Sequence, residues 1–250
     1  MLTSTRPPQL AAGERCSACG QPLNGDVYYL PGRPERYCAA CMVQRPRCDS
    51  CGAPAGPQHW RLHDGRVSCA RCHATAVYDP AEAQQLFYQT VGAVVDDLNL
   101  SLRVGVAFRL LDAPGLAERR AAGGAGDPHQ RTLGLYERHS SSLRLISLLY
   151  GLPRIVFRSV AAHEYAHAWQ GETCPLLEDH DLREGFAEWV AYRHLRYLGC
   201  AKAARELLES QHPYRPLLER MLALEQQRGA AGVIDHILAV GRGVAAASRF

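Results

Sequence analysis

Two histidines four positions apart, with a glutamate directly after the first, stand at His163-Glu164-Tyr165-Ala166-His167. On a helix, residues four apart lie one turn up the same side. Both imidazoles can then reach one zinc ion while Glu164 aims at a water beside it. Two imidazoles leave zinc too open. Glu184, seventeen positions beyond His167 in Arg183-Glu184-Gly185-Phe186-Ala187-Glu188-Trp189, completes a set of two histidines and one glutamate with one position left for water. Glu188, one turn further along the same face, is positioned to accept the second ring proton of a liganding histidine and fix its tautomer. Such a set supports metal-assisted hydrolysis of an amide, with Glu164 as general base taking a proton from water and returning it to the leaving amine. The oxyanion formed on the way needs a further donor, and His236, Tyr214 and Tyr150 all stay open for that role. The five-residue motif alone is a modest signal, because its histidines could face solvent or satisfy core hydrogen bonds. Phe186, Trp189 and Val190 around the two glutamates argue against a merely solvated acidic helix face.

These side chains need two helices and a scaffold. One helix starts near Pro153-Arg154 and buries Ile155, Val156, Val160, Ala162 and Ala166, and a second apolar-periodic segment carries Glu184. Upstream, Asp79-Pro80 opens a helix over Ala81 to Leu100, with Leu86, Val91, Val94, Val95 and Leu98 in helical spacing. Leu102 to Leu111 alternates as a strand, and Thr132 to Glu137 and Ser142 to Tyr150 form two more. Gly123 to Pro128 is a flexible loop. Ala201 to Arg228 and Ala231 to Ala247 are helices, interrupted at His212-Pro213 and Gly229, that wall a cleft. The strand Leu143 to Leu149 is expected at a sheet edge, where an extended peptide adds by main-chain pairing with little demand on its sequence. The expectation is an α+β catalytic domain over 77–250.

Eight of the ten cysteines lie between Cys16 and Cys72, as four C-x-x-C pairs: Cys16/Cys19, Cys38/Cys41, Cys48/Cys51 and Cys69/Cys72. Chance spacing at this composition gives on the order of 0.4 such pairs, so the four are a designed feature. Eighteen residues separate the first two pairs and seventeen the last two, which lets each couple fold as a ribbon around one tetrahedral zinc. All four ligands are used in each, so these two zinc ions are structural and replace a core that segments this short cannot build. A redox dithiol or disulfide cluster is the competing reading. Cys174 and Cys200 have no close cysteine partner and are expected to be structural. The organisation expected is a flexible 1–13, a double zinc module over 14–76 and the catalytic domain after it.

The charge of +3 is small for 250 residues and gives no support to a nucleic-acid or membrane partner, whereas a protein or peptide substrate fits. The start of the chain lacks the apolar run of a secretory signal, and no window approaches a bilayer span, so a cytoplasmic location is expected.

The four cysteine pairs resemble a LIM-type double zinc module. Here six residues lie between Cys41 and Cys48 where a standard LIM domain has two, and a cysteine stands where its first site usually has histidine. That resemblance implies a protein-binding surface. The Glu184 to Glu188 run resembles the second zinc-binding segment of gluzincin peptidases, in which the first glutamate is the ligand. Leu148-Leu149-Tyr150-Gly151-Leu152-Pro153-Arg154, Ala162-His163-Glu164, His167-Ala168-Trp169, Glu184-Gly185 and Asp235-His236-Ile237 together resemble the DA-one family of plant LIM peptidases. The resemblance implies a peptidase acting on protein substrates, with LIM zinc modules ahead of a gluzincin domain. A ubiquitin-like regulator is part of that family picture, but no ubiquitin-interacting helix with an acidic patch precedes Cys16, so ubiquitin control is not carried over. Two rivals remain: a non-enzymatic zinc-binding adaptor, and a DNA-associated protease.

Overall fold

The computed structural model describes residues 13–30, 33–123, 132–140, 142–209 and 212–243. The expected flexible N-terminus up to residue 12, the glycine-rich loop at 124–128 and the last turn expected at 244–247 lie outside the described residues. Contacts divide the chain into two compact units, one ending at Ala76 and the other starting at Val77.

The first unit is the same small device built twice. Strands β1 (Val27–Tyr29) and β2 (Arg36–Cys38) form an antiparallel pair followed by helix α1 (Ala39–Gln44). Strands β3 (His59–Arg61) and β4 (Val67–Cys69) repeat it, followed by α2 (Ala70–His73). Each ribbon begins with a cysteine knuckle closed by a glycine in the left-handed region, Gly20 at φ 75° and Gly52 at φ 70°. Their N–H groups donate to Cys16 O and Cys48 O, both at 2.8 Å. This is a turn that a Cβ would strain. The Cys38 and Cys69 amides donate back to the Cys16 and Cys48 sulfurs at 3.4 and 3.3 Å, so each ribbon is closed around its own first cysteine. A 3.0 Å ion pair between Arg71 and Glu35 links the two copies.

The second unit is mixed α and β. Helix α3 (Pro80–Leu98) starts where Asp79 accepts from the Glu82 N–H at 2.7 Å and stops at Asn99, φ 55°. After it come β5 (Gly105–Leu111), α4 (Ala113–Ala122), β6 (Gly134–Arg138), β7 (Leu143–Leu149), α5 (Arg154–Thr173), α6 (His180–Tyr197), α7 (Ala201–Glu209) and α8 (Arg215–Gly241). Gly229, at φ 70°, breaks α8 internally. The sheet order is β5-β7-β6, with β5 parallel and β6 antiparallel to β7. Helices α5 and α6 lie along each other, and Phe157, Tyr165, Phe186 and Trp189 fill the core between them and α3.

One expectation is overturned. Strand β7 is the centre of the sheet, not its edge, because every residue from Arg144 to Leu149 is buried. A strand covered on both faces is a central one. Arg144 is the one charge in this covered stretch. It is fully buried in an ion pair with Glu172 at the end of α5. Helix α4 was not expected at all, although Asp112 caps it by accepting from the Gly115 N–H at 2.9 Å and Pro114 opens its first turn.

Candidate metal centre and cleft

Helix α5 carries His163 and His167 on one face, and α6 brings Glu184 against them. The His163 and His167 Nε2 atoms are 3.1 Å apart. Glu184 Oε2 lies 3.4 Å from His163 Nε2, and Glu184 Oε1 lies 3.5 Å from His167 Nε2. Bonds of about 2.05 Å from three donors to one tetrahedral ion put the donors about 3.3 Å from each other. The two imidazole nitrogens and the Glu184 carboxylate, which meets each ring with a different oxygen, therefore fit a single zinc. Two neutral imidazoles and a carboxylate are also a chemically suitable set for that ion. The same test holds in the ribbons, where the expected sulfur separation is about 3.8 Å. Cys19 and Cys38 sulfurs are 4.0 Å apart, and those of Cys51 and Cys69 are 3.8 Å apart. Cys16, Cys19, Cys38 and Cys41 converge in one group, and Cys48, Cys51, Cys69 and Cys72 in the other. These two four-cysteine sites fit structural zinc. Burial opposes the Cys16 thiolate, but the amides of Cys38, Ala18 and Cys19 outweigh it and lower the thiol to about 6.

The ring nitrogens turned away from the cluster are occupied too. His163 Nδ1 faces Glu188 Oε1 at 3.5 Å. His167 Nδ1 lies 3.0 Å from the side-chain oxygen of Gln170. Burial alone would lower His163, yet Glu184, Glu188 and Glu164 surround it and raise it to about 9. The same histidines hold the Glu184 carboxyl well below its usual range in spite of burial. Glu164 goes the other way: burial raises it, only partly offset by His163, His167 and the Tyr136 N–H that donates to its carboxylate.

That amide belongs to β6, which lies beside α5. The Leu149 N–H donates to Leu133 O at 2.9 Å, so in the antiparallel ladder alternate residues counted from Leu133 bond to β7. Gly134 and Tyr136 direct their main-chain groups to the outer edge. A Cβ on Gly134 would stand 2.6 Å from Val160 Cγ1 and 2.7 Å from Glu164 Cγ, so only glycine lets the strand come this close.

A cleft of about 480 Å³ opens over the three donors and Glu164. Leu133, Val156, Val160, Ala191, Leu195 and Leu207 form its apolar wall, contributed by the residue preceding β6 and by α5, α6 and α7. Of the oxyanion candidates, Tyr214 lines this cleft, its ring 5.0 Å from that of His212 and 6.0 Å from that of His180. His236 and Tyr150 are not brought to it. His236 lies beyond the Gly229 break, buried in the second half of α8. Tyr150 follows β7 and packs 5.2 Å from Tyr78. Cys174 is buried against Gly241.

Sequence reasoning missed Gly134, Gln170 and the apolar wall. A glycine inside a strand is itself a sign of close approach, and Gln170 is three residues after His167 on the same helical face, so both had a readable signal. The wall had none, since it is assembled from four separate segments.

No family model and no solved structure matches the chain. Protein DA1 of Arabidopsis thaliana is 27% identical over 221 residues, covering 72% of this chain and 41% of that protein. The LIM domain-containing protein HDR3 of Oryza sativa subsp. japonica is 28% identical over 195 residues, covering 62% and 39% respectively. Protein DA1-related 1 of Arabidopsis thaliana is 27% identical over 170 residues, covering 54% and 31%. The chain thus spans about two fifths or less of the length of the curated relatives it matches. A mixed α/β chain with two tandem four-cysteine zinc sites and a convergent His163–His167–Glu184 cluster, this protein has DA1, DA1-related and LIM domain-containing proteins as its relatives, at modest identity.

Proposed function

We propose that this protein is a zinc-dependent peptidase of the gluzincin type, hydrolysing peptide bonds in protein substrates. Segment 77–250 is its peptidase domain, and the ribbons of 14–76 are a LIM-like module for a protein partner. The observation that carries this reading is the approach of the two imidazole nitrogens to 3.1 Å with a Glu184 carboxylate oxygen 3.4 and 3.5 Å from each, beside the Glu164 side chain that follows His163 directly. An ion held by His163, His167 and Glu184 with one position open supplies a Lewis acid and a water acidified towards a pKa of about 7.

The chain's own groups do the rest. Glu164, raised by burial, takes the proton of the attacking water and returns it to the leaving amine. The outer edge of β6 at Gly134 bonds the main chain of an extended substrate, which holds a peptide with little regard to its sequence. The apolar wall around Val156, Val160 and Leu207 takes a nonpolar side chain next to the scissile bond. Tyr214 on the rim donates its hydroxyl to the developing oxyanion. Glu188 fixes the His163 ring.

Replacing Glu164 with Gln tests the assignment, since the amide keeps the shape and loses the base. Cleavage of an internally quenched peptide library should fall by ~100-fold or more at unchanged zinc content. A Gln variant cleaving at the parent rate would overturn the peptidase reading.

A further inference from the structure

Gln170 is buried, with 2% of its surface exposed, in the turn after His167. A polar side chain in that position must find partners, and Gln170 has two. Its Nε2 donates to the Arg183 main-chain oxygen at 3.1 Å, and its Oε1 lies 3.0 Å from His167 Nδ1. The first contact fixes the polarity of the second. A main-chain carbonyl only accepts, so the amide nitrogen must face Arg183 and the amide oxygen must face the histidine. The reverse orientation would oppose two oxygens at 3.1 Å and leave the Arg183 carbonyl unsatisfied. An oxygen acceptor at 3.0 Å then requires the proton of a neutral His167 to sit on Nδ1. Nε2 is left with a lone pair, and it is Nε2 that faces His163 and Glu184.

The same side chain spans the two helices that make the cluster. His167 and Gln170 belong to α5, and Arg183 immediately precedes Glu184 on α6. One amide therefore sets both the ring orientation of His167 and the position of the peptide that carries Glu184. His163 has a different arrangement, with the Glu188 carboxylate at its Nδ1. The two histidines are thus held by unlike groups, one charged and one neutral.

We propose that Gln170 is a positioning residue: it locks His167 in the Nδ1–H tautomer with Nε2 aimed into the cluster, and it ties that ring to the main chain directly ahead of Glu184. The inference rests on the metal reading of His163, His167 and Glu184 given above, and its consequences are visible without any cleavage assay.

The direct test is long-range proton–nitrogen correlation spectroscopy of the histidine rings, in protein whose His–Glu site has been stripped with a mild chelator. At a pH where His167 is neutral it should show a protonated Nδ1 and a bare Nε2. Gln170→Leu, apolar and one atom shorter, should give a mixture of both tautomers and weaken zinc binding at that site by about 10–100-fold in competition with a chromophoric chelator. Gln170→Glu keeps an acceptor against Nδ1 and should retain the Nδ1–H tautomer, while its second oxygen faces the Arg183 carbonyl and the tie to α6 is lost. A His167 protonated on Nε2 in the parent protein would overturn the proposal whether or not the variants fold. So would a folded Gln170→Leu that binds the third zinc as tightly as the parent. If the parent shows the Nδ1–H tautomer and its loss in Gln170→Leu yet no peptide is cleaved, the peptidase reading fails and the role of Gln170 stands.

Discussion

Gly134→Ala adds one methyl group at the closest approach between strand β6 and helix α5. The new Cβ would meet Val160 Cγ1 at 2.6 Å, Glu164 Cγ at 2.7 Å and Glu164 Oε1 at 2.8 Å. Carbon atoms rest about 3.5–4.0 Å apart, so roughly 1 Å of movement is needed. Val160 is β-branched and stiff at χ1, and it cannot give that much. The Glu164 side chain can, by swinging away from the strand, or β6 can lift off the helix. Both responses move the proposed base relative to the strand edge that would hold a substrate. An error of this size in a reacting group costs about 100-fold in rate. The overpacking itself costs about 1–3 kcal/mol, which for a unit of this size lowers the melting temperature by roughly 2–12 °C. Measurement of kcat/KM on a quenched peptide library, alongside melting and zinc content, separates the two effects. The nearest atoms belong to Val160 and Glu164, not to the three donors, so bound zinc should be unchanged. A folded, fully zinc-loaded Gly134→Ala within threefold of the parent kcat/KM would refute the claim that β6 and Glu164 act as one geometry.

Metal analysis of freshly purified protein should give three zinc ions per chain, one removed quickly by a mild chelator together with hydrolysis and two retained by the cysteine sites; a count of two at the outset would remove the third site. His194 is buried with neither ring nitrogen hydrogen-bonded among the described residues, and burial, aided by Arg158 and opposed by Asp97, pushes it down to about 4. Its folded-state pKa is below the unfolded value of about 6.5, so the unfolded chain binds the extra proton and stability is lost as pH falls from about 6.5 towards 4; between pH 7 and 5 the parent should lose ~2 kcal/mol more than His194→Leu in urea unfolding, and equal losses would contradict this. Leu207→Phe narrows the apolar wall and should disfavour a large nonpolar side chain at the cleaved bond by about 10-fold, leaving cleavage beside alanine unaltered, as read from a peptide library.

The parts of the site that sequence alone discloses are those whose partners are near in the chain. His163, His167 and Glu164 share one helix, and the four cysteine pairs announce themselves by spacing. Glu184 needed only a second helix with an apolar face. What escaped depends on distant segments. Strand β7 is central although it carries the charge of Arg144, because Glu172, twenty-eight residues later, pairs with that charge and lets it be buried. His236 belongs to a motif-like Asp235-His236 pair, yet it lies past the Gly229 break and does not line the cleft. The α4 helix is a different failure, for Asp112 and Pro114 were local and legible signals that were passed over.

The His163–His167–Glu184 cluster and the core are made by the same pair of helices. Trp169 and Phe186 stack at 5.5 Å and Phe186 lies 5.6 Å from Trp189, so aromatic residues of both helices interlock along one side. On the other side the same turns carry His167, Glu184 and Glu188. Trp189 in turn donates to Glu225 of α8 at 2.8 Å, and Glu225 also pairs with Arg193, whose guanidinium holds Asp97 of α3. The depth of the aromatic packing therefore sets the distance between α5 and α6, and that distance sets whether Glu184 can close on the two imidazoles. Trimming Phe186 should cost metal affinity as well as stability, although it is not itself a donor, because a cavity in a close-packed interface lets the helices shift by fractions of an ångström.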